Sequence, residues 1–301
     1  MKRRNNIDRP FVGYLFILPF FVVFLVFHLY PILHSLYLSF AQYDGFTAPQ
    51  IVGLTNYQRL VGDQLFWQAL SNTLRIWLPN IALQLGLALY FAVIFTNRRP
   101  RVRGVKFYRA VFYFPNLVTM ASIALLFSVI LDWQHGALNQ MLFGAERSDY
   151  INWLAHPPRA QFIIALLQTW IWFGYTLIIL MAGIQGIPQS YYESAVVEGA
   201  GNGTIFRRIT LPLIRPIMGF VIITSIIGGL QIFDVPYVIT AGGGGRGRSL
   251  VTAVMFMYRR AFQVSQFGYA AAVAWMLFVI TVIASLVYLK VAGISPDGGK
   301  K

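Results

Sequence analysis

Residues 191–212 read YYESAVVEGAGNGTIFRRITLP. This polar stretch lies between two long apolar runs, 162–184 and 213–235, so it is a loop between membrane spans. Pro188, Gln189, Ser190 and Glu193 start it like a helix. Gly199, Gly201 and Gly203 are expected to break that helix. A second short helix is expected over 204–209, with Pro212 ending it. The pattern is helix, elbow, helix, lying on a membrane surface.

The surrounding composition requires lipid as solvent. Of 301 residues, 57% are hydrophobic and 11% charged, with mean hydropathy +0.62. A soluble domain carries about a quarter charged residues. Apolar runs at 11–40, 73–95, 107–131, 162–184, 213–235 and 269–289 give six expected spans. The first is too long for a signal-peptide core and reads as a retained span, with Pro19 and Pro31 bending it or marking its ends. No linker or repeat interrupts the pattern, so one membrane domain is expected over 11–290, between cytoplasmic segments 1–10 and 291–301.

Basic residues set the orientation. With the N-terminus inside, sixteen of the 24 Lys and Arg fall in inner segments. Lys2, Arg3, Arg4 and Arg9 precede the first run, and Arg98, Arg99, Arg101, Arg103, Lys106 and Arg109 precede the third. The latter group also suits anionic lipid. Eight arginines, among them Arg246, Arg248, Arg259 and Arg260, fall outside. Charge spread between spans in this way argues against nucleic acid, in spite of a net +14. No cysteine is present, and His28, His34, His135 and His156 are scattered, so no metal site is expected.

The quoted stretch also resembles a known signature. Glu193-Ser194-Ala195, then Gly199, then Ile209-x-Leu211-Pro212 is similar to the EAA loop of binding-protein-dependent ABC importer permeases. Ser194 stands where alanine is usual and Glu198 where aspartate is common. Val52 to Tyr57 (VGLTNY), Phe66-Trp67, Gly136 to Asn139 (GALN), Trp153-Leu154, Phe233-Asp234 and Ile239 to Gly243 (ITAGG) resemble other segments of the carbohydrate and glycerol-phosphate branch. Gly244 replaces a frequent proline there. The resemblance implies an all-α, six-span type I importer permease in a bacterial or archaeal plasma membrane, with both termini cytoplasmic. It implies a second related permease, two ATPase subunits holding ATP and Mg, and an external binding protein. The loop around Glu193, Ser194, Ala195, Glu198, Gly199, Ile209, Leu211 and Pro212 would then couple to the ATPase. The cargo would be a sugar or short oligosaccharide, with glycerol-phosphate, a polyol or another polar solute as the alternative. A secondary carrier or channel would instead carry acids at membrane depth. Here only Asp132 and Asp234, at span ends, lie near the membrane by this reading.

Two constellations bear on chemistry. Gln168, Trp172 and Tyr175 share one helical face at i, i+4 and i+7. An aromatic platform with a buried amide suits a sugar, and it suits interhelical packing equally well. The resemblance favours the sugar, because spans flanking the coupling loop line the cavity in such permeases. Ser225, Gly228, Gly229 and Ile232 share a face of the fifth span that either admits a neighbouring helix or leaves room for ligand. Ser225, Gly228 and Gly229, with Gln231 near the outer end of that span, join the expected substrate-binding residues. Asp234 either meets solute or pairs with an outer arginine. Residues 242–249, GGGGRGRS, approach a phosphate loop but lack its preceding strand and lie outside, so they read as a flexible glycine turn. No paired carboxylates or Ser/His/Asp set occurs, so no enzyme activity is expected of this chain.

The charge bias generates a labelling test. The chain has no native cysteine, so single cysteines report cleanly. Cysteines at Gly45 and Gly244 are expected to react with an impermeant thiol reagent in intact cells, and one at Gly201 only after permeabilisation. Labelling at Gly201 in intact cells would reverse the orientation.

Overall fold

The structure, a computed structural model, describes residues 10–96, 102–144 and 147–293. The basic residues Lys2, Arg3, Arg4, Arg9, Arg98, Arg99 and Arg101, and the tail 294–301, lie outside the described residues. Five helices are long and apolar enough to cross a membrane: Tyr14–Ser39, Gln64–Thr96, Pro157–Gln185, Arg215–Ile239 and Phe267–Ala292. The pair Val105–Leu117 and Met120–Ile130 makes a sixth span if taken together, bent by 92°. The continuous third span expected over 107–131 is therefore broken. Pro115 supplies no N–H in the last turn, Val118 is extended, and the Thr119 hydroxyl caps the second helix by accepting the Ser122 N–H.

The chain groups into two compact units. One comprises Met1–Asp63 with Met257–Met276; the other comprises Gln64–Phe256 with Leu277–Lys301. In the first unit, Pro19 sits inside the helix Pro10–Phe24, and Pro31 follows a π-turn at Leu25–Leu29. Lacking an N–H, Pro31 cannot close the ordinary helical bond, and the turn before it widens. The strands Ala41–Gln42 and Gln50–Ile51 pair antiparallel. Asn56 donates to the carbonyls of Ser39 and Ala41 at 3.0 and 2.9 Å, docking the helix Thr55–Gly62 against the ribbon's start.

Asp63 ends that helix and is the acid that the sequence reading overlooked. Its carboxylate pairs with Arg260 at 3.2 Å and accepts the Tyr269 hydroxyl at 2.8 Å. Arg59 lies over the Tyr269 ring, 4.3 Å from its centroid. This set joins two segments 206 residues apart in sequence. Asp44, on the exposed turn before the second strand, accepts the Thr47 and Phe46 amide N–H groups and the Thr47 hydroxyl. Those bonds, the Thr47 backbone bond foremost, hold its carboxyl down at about 2.

The second unit is built on spans Gln64–Thr96 and Pro157–Gln185, packed parallel along their length. The register is set by polar pairs. Gln161 donates to Asn72 Oδ1 at 3.1 Å, Asn80 to the Thr169 hydroxyl at 3.2 Å, and Gln84 to the Thr176 hydroxyl at 2.6 Å. All six side chains are buried. Interhelical bonds of this kind are worth about 0.6 kcal/mol on average, so their chief effect is to exclude other registers, in which buried amides would go unpaired.

Glycine decides how closely the helices approach. A Cβ on Gly174 would stand 2.0 Å from the Phe112 carbonyl oxygen, so the helix Val105–Leu117 lies directly against the fourth span there. Gly45 and Gly244 have left-handed backbones, φ +91° and +73°, so neighbouring exposed Phe46 and Arg246 carry cysteine labels with less strain. Gly174→Ala is expected to destabilise the fold by about 1–3 kcal/mol through overpacking. Gly86→Ala, where no atom lies within 4 Å of the new Cβ, is expected to leave the melting temperature in detergent unchanged. Equal melting of both variants would contradict this packing.

Candidate functional site

The stretch 191–212 folds as helix, elbow, helix, with shifted bounds. The first helix is Gln189–Val197, and Gln189 donates to Glu193 one turn on. Glu198 is its C-cap. Gly199 follows at φ +77°. Its N–H donates to the Val196 carbonyl at 3.0 Å, and the Ala200 N–H to the Ala195 carbonyl at 2.9 Å. That pair of bonds is the Schellman arrangement, which needs a left-handed residue at the position Gly199 occupies. No atom lies within 4 Å of a Cβ built there, so the demand for glycine is conformational and not one of space.

The second half differs from expectation. Gly201 caps a helix at Asn202–Ile205, so Gly203 lies within that helix and does not break it. A π-turn, Phe206–Thr210, and a turn at Leu211–Leu213 follow. Pro212 does not end the helix. It sits in the first turn of Leu211–Leu213, where a missing N–H costs nothing. Helical bonds continue through Ile214, whose N–H meets the Thr210 carbonyl at 3.0 Å and whose carbonyl takes the Met218 N–H at 2.9 Å. The segment thus leads into the fifth span without an intervening loop, with a helix break at Ile214 (φ −88°, ψ 0°).

The two halves face each other. The Tyr192 and Thr210 hydroxyls are 3.3 Å apart. An open depression of about 340 Å³ is lined by Ser190, Tyr191, Ser194, Ala195, Glu198 and Ile209. Four of the expected coupling residues are therefore gathered in one place, and Ser190, Tyr191 and the Tyr192–Thr210 link are additions that no sequence spacing announced. Glu193 is exposed beside the depression, while Leu211 and Pro212 lie beyond its lining. Ala195 is buried, whereas Val196 and Val197 are exposed, Val197 at 88%. An exposed apolar edge thus lies beside a hollow whose lining includes one carboxylate, that of Glu198.

The matching family description is "Binding-protein-dependent transport system inner membrane component", over residues 84–292. The chain belongs to this family. Among its relatives is the probable ABC transporter permease protein YesP of Bacillus subtilis, 36% identical over 297 residues, covering 96% of this chain and 93% of that one. The lactose transport system permease protein LacF of Rhizobium radiobacter is 32% identical over 286 residues, covering 95% and 94%. The trehalose/maltose transport system permease protein MalF of Thermococcus litoralis is 32% identical over 287 residues, covering 95% of each. A solved bacterial ABC transporter involved in import of the acidic polysaccharide alginate shares the fold, with TM-score 0.80 at 22% identity, covering 97% of this chain and 98% of that one.

The candidate solute face of this family member divides in two. Gln168 is 4% exposed, and its Oε1 is buried with no hydrogen-bond partner. It takes no part in the amide ladder on the neighbouring face. Trp172 and Tyr175 are half-buried and meet edge to face, with ring centroids 6.0 Å apart. Leu177, on the opposite side of this helix, is wholly buried.

On the fifth span, Gly228 is open and Gln231 exposed, its N–H on the Gly228 carbonyl. Ser225 and Gly229 are instead engaged by Trp77 of the second span. Its indole N–H donates to the Ser225 hydroxyl at 3.1 Å, and its ring covers Gly229, where a Cβ would lie 2.0 Å away. Trp77 was not among the sequence candidates, because a tryptophan inside an apolar run carries no distinguishing pattern. Asp234 starts the short helix Asp234–Ile239 and forms no ion pair among the described residues, so the expected arginine partner is absent there.

The glycine turn at 242–249 is held, not flexible. Gln68 donates to the Gly247 carbonyl, Asn72 to those of Arg248 and Val251, and Gln161 to that of Ser249, at 2.9–3.1 Å. Arg248 is thereby kept at φ +58°. Carbonyls turned inward onto side chains are unlike a phosphate cradle, which presents N–H groups.

Proposed function

We propose that the chain is one membrane half of an ATP-driven importer for a sugar or short oligosaccharide. It pairs with a second related permease and two ATPase subunits, and it receives solute from an external binding protein. Both termini are cytoplasmic. The observation that carries this reading is the Schellman-capped helix Gln189–Val197, with exposed Val196 and Val197 beside the hollow, continuous with the fifth span. The relatives' transport of lactose and of trehalose/maltose supports a saccharide cargo. This chain holds no ATP; hydrolysis belongs to the ATPase partners. Their closure moves the coupling helix, and the segment through Ile214 carries that movement into the fifth span.

Solute meets the face of Gln168, Trp172 and Tyr175, with Gly228 and Gln231 of the fifth span as further contacts. The unpaired Gln168 oxygen accepts a sugar hydroxyl, and the Trp172 and Tyr175 rings offer apolar walls. Trp172→Ala is expected to reduce uptake at least tenfold while leaving assembly and basal ATP hydrolysis in place. Leu166→Ala, at an exposed position on the same helix, serves as the control and is expected to transport normally. Normal uptake by both Trp172→Ala and Gln168→Ala would remove the site.

Gly199→Val forces a β-branched residue to positive φ, a strain of about 1–3 kcal/mol. Glu193→Lys reverses a charge at the docking surface, where a contact is sensitive by several-fold in affinity or more. Both variants are expected to reach the membrane yet fail in uptake. Either the ATPase dissociates on purification or its hydrolysis no longer responds to loaded binding protein. Full stimulation with normal uptake in both would overturn the coupling assignment.

A further inference from the structure

The contact between Trp77, Ser225 and Gly229 lies away from the coupling segment and belongs to neither proposed contact surface. Three observations define it. The indole N–H has the Ser225 hydroxyl as its partner at 3.1 Å. The ring occupies the space that any side chain at Gly229 would fill, with its Cδ1, Nε1 and Cγ 2.0, 2.3 and 2.5 Å from a built Cβ. Ser225 and Gly229 are one helical turn apart, and the pyrrole edge of the ring, Nε1 included, both bonds the one and packs on the other.

What lies on either side gives the contact its consequence. The second span is tied to the fourth along its length by the Asn72–Gln161, Asn80–Thr169 and Gln84–Thr176 pairs. Thr73 ties the second span instead to the segment after the glycine turn, accepting the Ala253 N–H at 2.9 Å. The second and fourth spans therefore move as one body. The fifth span is the continuation of the coupling segment through Ile214. Trp77 stands where the moving span bears on the fixed pair. In hydrocarbon an indole N–H and a hydroxyl without partners are costly, so the bond favours one seating of the fifth span over sliding alternatives.

We infer that Trp77 is a positioning residue for the transport cycle. Its bond to Ser225 and its seat on Gly229 transmit movement of the fifth span to the joined second and fourth spans, and so convert ATPase closure into opening of the solute face. This rests on the importer reading. Ser225 and Gly229 then serve the helix contact and do not touch solute.

The test is a double-substitution cycle in complexes reconstituted in liposomes with binding protein, using a disaccharide that the binding protein retains. Trp77→Phe keeps a ring over Gly229 and removes the N–H; Ser225→Ala removes the acceptor. Each single variant is expected to assemble and to lower the maximal uptake rate about fivefold, the scale of one lost hydrogen bond. The half-saturating concentration of loaded binding protein is expected to stay unchanged, and ATP consumed per solute to rise. The double variant is expected to match the worse single, because both remove the same bond. Parent-like uptake in both singles, losses that multiply in the double, or a shifted half-saturation with unchanged maximal rate would each overturn the inference. A parent complex that loaded binding protein fails to stimulate would count against the importer reading itself, and the positioning role would fall with it.

Discussion

Every polar group inside the hydrocarbon must find its partner within protein, because no water is there to supply one. The second and fourth spans satisfy that constraint jointly. Their amides and hydroxyls pair across the interface in a parallel register, from Asn72–Gln161 to Gln84–Thr176. Each bond is modest, but any slip would strand several buried groups at once. Gly174 lets the first half of the broken span lie against the same pair. The turn at 242–249 is fastened to it by Gln68, Asn72 and Gln161. The remainder of that unit takes its position from this fixed body.

Against a fixed pair, a moving element needs rigidity and a defined point of contact. The segment from Asn202 reaches the fifth span without a loop, and hydrogen bonds between Thr210 and Ile214 and between Ile214 and Met218 bridge the break at Ile214. Gly199 supplies a sharp reversal just before it, so the exposed helix Gln189–Val197 can be held by a partner while its end is tied back through Tyr192 and Thr210. Gln168 shows the opposite situation. Its buried oxygen has no partner among the described residues, whereas Gln161, Thr169 and Thr176 of the same span are paired. An unpaired acceptor at that depth is tolerable when a ligand completes it.

The first unit solves a different problem. Its span Tyr14–Ser39 has no buried residue in its membrane window, so packing within the chain does little to hold it. Order comes instead from the segments at its end. Asn56 grips two carbonyls, and Asp63, Arg260 and Tyr269 close a loop between residues far apart in sequence. Removing one partner of an ion pair so little exposed costs more than breaking a surface pair, because the other charge is left uncompensated.

Sequence by itself determined the class of this protein. Apolar runs of span length, basic residues between them and the polar 191–212 stretch leave little choice of solvent or fold. The glycine at 199 was legible because a left-handed cap is a local requirement, written in a single residue. The shared face of Gln168, Trp172 and Tyr175 was legible for the same reason, since helical spacing is local. Tertiary structure decided what depends on distance between segments. Residues 107–131 read as one continuous span, yet the chain turns by 92° just beyond Pro115. Pro212 read as a stop, yet it sits in a first turn where no N–H is needed. Ser225 and Gly229 read as space for either a neighbouring helix or a ligand, and Trp77, about 150 positions away in sequence, takes it. Asp63 carries no signal in the sequence, because its partners Arg260 and Tyr269 are brought to it only by folding. Spacing along a chain reports which residues share a face; which neighbour that face meets is set only when the helices pack.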